Sequence, residues 1–350
     1  MKHGDPFGTH RVLSPPGVLP QPADRVDNNM KILFDNEILV AVDTLNIDSA
    51  SFTQIKQEAG GDKDKIAAAI LKIVETAGKC KNPVTGSGGM FIGTVEKLGS
   101  ALVGKRNLKP GDRIASLVSL SLTPLKIDTI LEVRPDIDQV AVKAKAILFE
   151  SGIYARLPED MSDTLALAVL DVCGAPAQVE RLVKAGDTVV ILGAGGKSGL
   201  LCAWEARKCL GPTGKLIGIA GSPRSLQRLD QVGVCDETLV LDATDALACH
   251  HAVAEMTGGS MADLVINCVN IPNTEMASIL MGADRGTVYF FSMATSFTKA
   301  ALGAEGVGRD ITMIIGNGYA HGHADKALAI LRESKEIREL YEELYAGGGT

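Results

Sequence analysis

The feature that most constrains this chain is a repeated alternation of short apolar runs and helical stretches beginning at "DTVVILGAG" (187–195). That run is too short for a helix and closes on glycine. It leads into "SGLLCAWEARKCLG" (198–211), then "KLIGIAG" (215–221) and the helical "SPRSLQRLDQVG" (222–233). "ETLVLDA", "DLVINCV" and "GTVYFFSM" repeat the strand signal with helical segments between them. Uniformly apolar strands separated by helices predict a parallel sheet covered on both faces, an α/β doubly wound architecture.

Two phosphate-binding turns compete for "VILGAGGKSGLL" (190–201). A nucleoside-triphosphate loop needs a glycine five positions before Gly196, and Ile191 stands there inside the apolar run. The dinucleotide turn fits better. Gly193 follows the strand directly, Gly195 allows close backbone approach, and Ser198 with Gly199 fills the third small position before a helix. Gly193, Gly195, Gly196, Lys197 and Ser198 are therefore candidate cofactor-binding residues, the alternative being a glycine turn with no ligand. Whether Lys197 meets the cofactor or solvent stays open.

The second strand of a site for NAD usually ends in a carboxylate that binds the ribose hydroxyls. Here "IAGSPRSLQR" offers Ser222 and Arg224 instead. With no carboxylate to repel a 2′-phosphate and an arginine to hold it, NADP is expected over NAD. A chance arginine on a solvated helix start is the bland alternative. Asn267, Asn270 and Ser292, at the ends of later strands, are expected to face the same crevice, because ligands bind beyond the carboxyl ends of such strands.

The region before residue 156 has another rhythm. "EILVAVDTLNI", "MFIGTVEKLG" and "KPGDRIASLVSL" read as strands with Gly and Pro turns, interrupted by the helical "KDKIAAAILKIVET" with Ile66, Ile70 and Ile73 on one face. The Pro- and Gly-rich start (1–28) is expected as an extended arm packed on this domain; it lacks the apolar core of a signal peptide, and no run is long enough to span a bilayer. A net charge of -7 and only 4% aromatic residues argue against nucleic acid or an anionic membrane as partner. Seven irregularly spaced cysteines without a C-x-x-C pair fit reduced thiols in a cytoplasm.

"GGMFIGTVEKLG", "LKPGDRIASLV" and "RLPEDMSDTLALAV" together resemble segments of the medium-chain dehydrogenase/reductase superfamily. The resemblance implies a GroES-like β-barrel catalytic domain (1–155), a Rossmann cofactor domain (156–318) and a return segment (319–350) packing on the first domain. It also implies a homodimer paired through "DITMIIGNG". More narrowly, "HGDPFGTHRVL", "NPVTGSGGMFIGTV" and "VILGAGGKSGL" resemble a zinc-free branch, the diaminohexanoate dehydrogenases of bacterial lysine fermentation. That implies oxidative deamination at C3 of a small diamino acid substrate, giving 5-amino-3-oxohexanoate, ammonia and reduced NAD or NADP. Two alternatives are a zinc-free quinone or enone reductase and a non-catalytic NADPH-binding sensor.

The zinc-ligand positions of that superfamily are altered. Asp48 stands at the first, the G-H-E triplet becomes Gly88, Gly89 and Met90, and only Cys173 falls near a ligand position, so no metal is expected. An iminium is already cationic and asks for a carboxylate where a ketone asks for a Lewis acid. Asp48 is thus a candidate catalytic proton acceptor, the alternative being a turn-capping aspartate. Cys173 either lines the nicotinamide pocket or is a small buried residue at a helix bend. His321 and His323 are read as surface-loop histidines over the alternatives of a metal pair or a place by the cleft, His250 and His251 diverge on a helix, and Glu75 and Asp128 are read as surface charges over the alternative of holding the substrate's second ammonium.

Overall fold

Strand and helix periods are segregated along the chain, and a computed structural model describing residues 2–292 and 294–345 resolves them into two units, 1–163 and 164–350. The arm of the first unit forms a short antiparallel pair, β1 (Val12–Ser14) and β2 (Arg25–Val26). Then come β3 (Ile38–Asn46), α1 (Ser49–Glu58), α2 (Lys63–Ala77), β4 (Met90–Leu98), β5 (Arg113–Ser116), β6 (Leu125–Arg134), β7 (Gln139–Leu148) and β8 (Tyr154–Arg156). Strands β3 to β8 make one antiparallel sheet in the order β6-β7-β3-β4-β5-β8. Alternation in β3 sends Ile38, Val40 and Val42 into a core completed by Phe52, Ile66, Ile70 and Phe91. Two helices interrupt the strands where one was expected. The missed one, α1, is polar and weakly patterned, and is marked in sequence mainly by its cap, Asp48.

The arm is held by charge as well as by pairing. Arg11, fully buried, donates from Nε and Nη2 to both oxygens of the fully buried Glu37, at 2.8 and 2.6 Å. His10 Nε2 lies 2.9 Å from the same carboxylate, and Asn36 exchanges hydrogen bonds with the backbone of Gly4. Burial alone would raise the Glu37 pKa, but the hydrogen bonds from Arg11, His10 and the Phe34 amide outweigh it and hold it below the usual glutamate range.

In the second unit, α3 (Asp163–Leu170) and α4 (Gly174–Leu182) lead to β9 (Thr188–Leu192) and α5 (Lys197–Leu210). Next are β10 (Lys215–Ala220), α6 (Pro223–Val232), β11 (Glu237–Val240), α7 (Ala246–Met256), β12 (Ala262–Asn267), α8 (Glu275–Met281), β13 (Gly282–Phe290), α9 (Phe297–Gly306) and β14 (Thr312–Ile315). Their sheet is parallel throughout in the order β11-β10-β9-β12-β13-β14. This is the doubly wound order, reversing direction between β9 and β12.

The last described elements are α10 (His323–Glu333) and α11 (Lys335–Tyr345), two helices broken at Ser334. The described residues of the segment expected to return to the first domain fall in the second unit. Helix α10 packs on α4 and α5, and α11 on α5 and α6, all within the second unit. The apolar faces of α10 and α11 fit any apolar neighbour, so periodicity alone does not name the neighbour. All seven cysteines are free, and among the described residues no helix is long and apolar enough to cross a membrane.

Candidate active site

The second unit gathers most of the expected residues at one edge of its sheet. Gly193, at φ +84°, turns the chain out of β9, a conformation strained for any residue with a Cβ. A Cβ on Gly195 would come within 1.9 Å of the Ser225 carbonyl oxygen, and one on Gly199 within 2.1 Å of the Gly193 oxygen. So Gly199, beside the buried Ser198, is the residue that lets helix and strand close together. Gly196 caps α5, whose first internal bond runs from Leu200 N–H to Gly196 O at 3.0 Å. The amides of Lys197, Ser198 and Gly199 precede that bond, and an anion is favoured by such donors and by the positive end of the helix. Lys197 is less free than its sequence position implies. Its ammonium pairs with Asp171 Oδ2 at 2.7 Å and lies 5.5 Å over the Tyr345 ring, while its carbonyl accepts from the Tyr341 hydroxyl at 2.5 Å.

Ser222 caps α6 in a reciprocal box with Ser225, each side chain accepting from the other's backbone N–H at 3.2 and 3.1 Å. Arg224, in the first turn of α6, is exposed and pairs with no carboxylate among the described residues. Beyond the adjacent strand ends, Asn270 is exposed and Ser292 Oγ accepts from Ala294 N–H at 3.1 Å. Asn267 behaves differently from expectation. It is fully buried, donates to Thr274 Oγ1 and Ser278 Oγ at 2.8 and 2.9 Å, and accepts from Val269 N–H at 3.0 Å. Its amide shapes the loop after β12 and is spent inside the protein. Cys173 is buried between α3 and α4 at the start of α4, where desolvation pushes its thiol up to about 12. His323 is not a surface-loop residue: it opens α10, is buried, and stacks edge-on against Tyr319 at 5.0 Å, and desolvation lowers its pKa.

In the first unit Asp48 does cap α1. Its Oδ1 accepts from Ser51 N–H at 3.0 Å, and its Oδ2 accepts from Ser87 Oγ at 2.7 Å. Facing it, Gly89 holds φ +102°, and a Cβ there would meet the Asn46 oxygen at 2.1 Å and the Asp48 nitrogen at 2.8 Å. The backbone at Gly89 therefore has no room for a side chain. Cys80 is buried nearby, its thiol raised to about 12 by desolvation and by the charge of Asp48. Ser87 and its neighbours Thr85 and Ser51 were not singled out in sequence, although the run "NPVTGSGG" marks the loop they come from.

A parallel sheet in 3-2-1-4-5-6 order with a glycine turn at its reversal defines a dinucleotide-binding unit, in a chain that also has an antiparallel unit. An alcohol dehydrogenase from Thermotoga maritima shares this fold, at a TM-score of 0.54 and 18% identity over 89% of this chain and 86% of that one. Residues 10–158 match the family described as the L-erythro-3,5-diaminohexanoate dehydrogenase N-terminal domain. L-erythro-3,5-diaminohexanoate dehydrogenase of Acetoanaerobium sticklandii is 59% identical over 98% of this chain and 99% of that protein. The enzyme of the same name from Fusobacterium nucleatum is 59% identical over 99% and 100%. The chain belongs to the L-erythro-3,5-diaminohexanoate dehydrogenase family.

Proposed function

We propose that this protein oxidatively deaminates 3,5-diaminohexanoate at C3, releasing 5-amino-3-oxohexanoate and ammonia, with a nicotinamide cofactor as hydride acceptor. The observation that carries this reading is the end-to-end identity of 59% to two enzymes named for that substrate. The turn at 193–199 fits a dinucleotide, with Gly193, Gly195, Gly196 and Ser198 around its pyrophosphate and Lys197 steadied beside it by Asp171. Arg224 in the first turn of α6, paired with no carboxylate among the described residues, and the lack of a carboxylate at Gly221 or Ser222 after β10 support NADP over NAD.

Asp48 is the proposed proton acceptor for the substrate ammonium. Capping does not exhaust it, since a carboxylate has about four lone-pair sites and two are occupied here. The reading is zinc-free: Gly88, Gly89 and Met90 supply no hard or imidazole donor, and Gly89 has no space for one. A homodimer joined through the edge strand β14, where Ile315 is 54% exposed, belongs to the same proposal.

Asp48→Asn tests it. Asparagine keeps the cap, so the fold and the dinucleotide affinity are expected to hold while turnover of 3,5-diaminohexanoate falls by roughly 10²-fold or more. Unchanged turnover removes Asp48 from the chemistry. Wild-type protein inert toward the diamino acid but active on an enone would replace the whole reading with a quinone or enone reductase.

A further inference from the structure

The loop between α2 and β4 folds back on α1 and closes a line of hydroxyl groups against Asp48. Asn82, buried, organises that loop: its Oδ1 accepts from the amides of Val84 and Thr85 at 2.8 and 3.2 Å. Its Nδ2 donates to Gln54 Oε1 at 2.8 Å and to the Ser51 carbonyl at 3.3 Å, and its N–H donates to the Ser87 carbonyl at 2.9 Å. Loop and helix are thus tied together by groups other than the hydroxyls. With the loop pinned, Ser87 Oγ lies 2.7 Å from Asp48 Oδ2, 2.8 Å from Ser51 Oγ and 3.1 Å from Thr85 Oγ1. Ser51 Oγ in turn lies 2.5 Å from Thr85 Oγ1. Asp48 is half-buried, Ser51 fully buried, and Thr85 exposed. The series therefore runs from a carboxylate to solvent without a gap longer than a hydrogen bond.

We propose that Ser87, with Ser51 and Thr85, is a proton exit that returns Asp48 to its ionised form after each turnover. The proposal rests on Asp48 being the proton acceptor. Oxidation of R₂CH–NH₃⁺ with one water gives R₂C=O, NH₄⁺, a hydride on the nicotinamide and one net proton. The carboxylate takes that proton as the ammonium becomes an amine, and must lose it before the next substrate. In the exit step the Asp48 O–H proton passes to Ser87 Oγ, the Ser87 proton to Thr85 Oγ1 directly or through Ser51, and the Thr85 proton to water. Each hydroxyl breaks one O–H bond and forms another, so none changes charge. Cys80, the buried thiol beside Asp48, is held neutral and offers no competing route. Asp138, the other carboxylate near this helix end, is engaged by Ser49 Oγ at 2.7 Å, apart from the series.

The test compares wild type, Ser87→Ala, Ser87→Thr, Thr85→Val and Asp48→Asn for steady-state turnover of 3,5-diaminohexanoate, across increasing imidazole buffer at constant pH and ionic strength. Ser87→Ala is expected to lose roughly tenfold or more in kcat with KM nearly unchanged, and to regain rate as imidazole rises. Ser87→Thr keeps a hydroxyl and should stay near wild type, while Thr85→Val should show a smaller, buffer-sensitive loss. Thermal melts identify any variant whose fold has failed, and the relay is then judged on the other two. A full kcat in Ser87→Ala alongside an inactive Asp48→Asn overturns the exit and leaves Asp48 as acceptor. A loss that buffer does not restore also overturns it, since a merely structural serine behaves that way. Full turnover in Asp48→Asn overturns the underlying reading instead.

Discussion

Gly195 and Arg224 sit on neighbouring turns of one sheet edge and work by opposite means, one by having no side chain and one by reaching out with a long one. Gly195→Ala would drive a methyl to 1.9 Å from the Ser225 carbonyl oxygen, inside the box that starts α6. Overpacking of this kind costs about 1–3 kcal/mol, so a lowered Tm and weaker dinucleotide binding are expected by thermal melt and titration. Arg224 is exposed and makes no ion pair among the described residues, so the Tm of Arg224→Ala should match wild type. Its affinity for NADPH should fall by roughly tenfold or more while that for NADH stays within about twofold, as a fluorescence titration would read. The glycine turn and the exposed arginine were legible because their places follow from backbone geometry and charge. Asn267 was not: an asparagine at a strand end looks the same in sequence whether it faces a crevice or ties a loop from within.

Elements in this protein are set by their ends as much as by their faces. Helix α5 begins at a glycine turn, α6 at a serine box, and α1 and α2 at Asp48 and Asp62, whose carboxylates accept from the amides that follow. The N-terminal arm is anchored by the ion pair of Arg11 with Glu37, both without exposure, and Arg11 also reaches Asp27 Oδ2 at 3.4 Å. Since the folded-state pKa of Glu37 is held below its unfolded value, the stability it contributes is present above the usual glutamate pKa and is lost as pH falls through the folded one. Glu37→Gln should therefore be about 3 kcal/mol less stable near neutral pH, leaving the buried Arg11 with only the longer pair to Asp27, at 3.4 Å, as counter-charge. Melts run down to about pH 3 should show the gap to wild type closing as the wild-type carboxylate protonates. A constant gap would mean that shape, not charge, holds the arm. The sequence signal for the arm was only its Pro and Gly content, which cannot announce a salt bridge formed across the intervening residues between Arg11 and Glu37.

At the scale of the molecule, each unit has a sheet and a core of its own. Ile38, Val40, Phe52 and Phe91 serve the first; Val190, Ile217, Val265 and Val288 serve the second. Residues 164–350, expressed alone, should fold cooperatively and retain dinucleotide binding without any turnover, measurable by circular dichroism and calorimetry. Loss of cooperative unfolding in that fragment would show that the second unit depends on the first. The assignment of α10 and α11 to the second unit makes the choice of end point matter: a fragment stopping at 318 would strip the cover from α4, α5 and α6 and remove Tyr341 from the Lys197 carbonyl.

What the sequence determined by itself was whatever depends on neighbours along the chain. Strand and helix periods, the glycine turn after Leu192, the Gly88-Gly89-Met90 triplet and the absence of a carboxylate at 221–222 are all local, and each can be read without a fold in hand. Tertiary structure alone decided the rest. It seated Ser87 and Thr85 against Asp48, turned Asn267 inward, buried His323 and laid the last two helices over the dinucleotide unit. Such choices rest on contacts between residues far apart in the chain. Many sequences place an apolar stripe or a hydroxyl equally well, and only the folded packing selects which partner it meets.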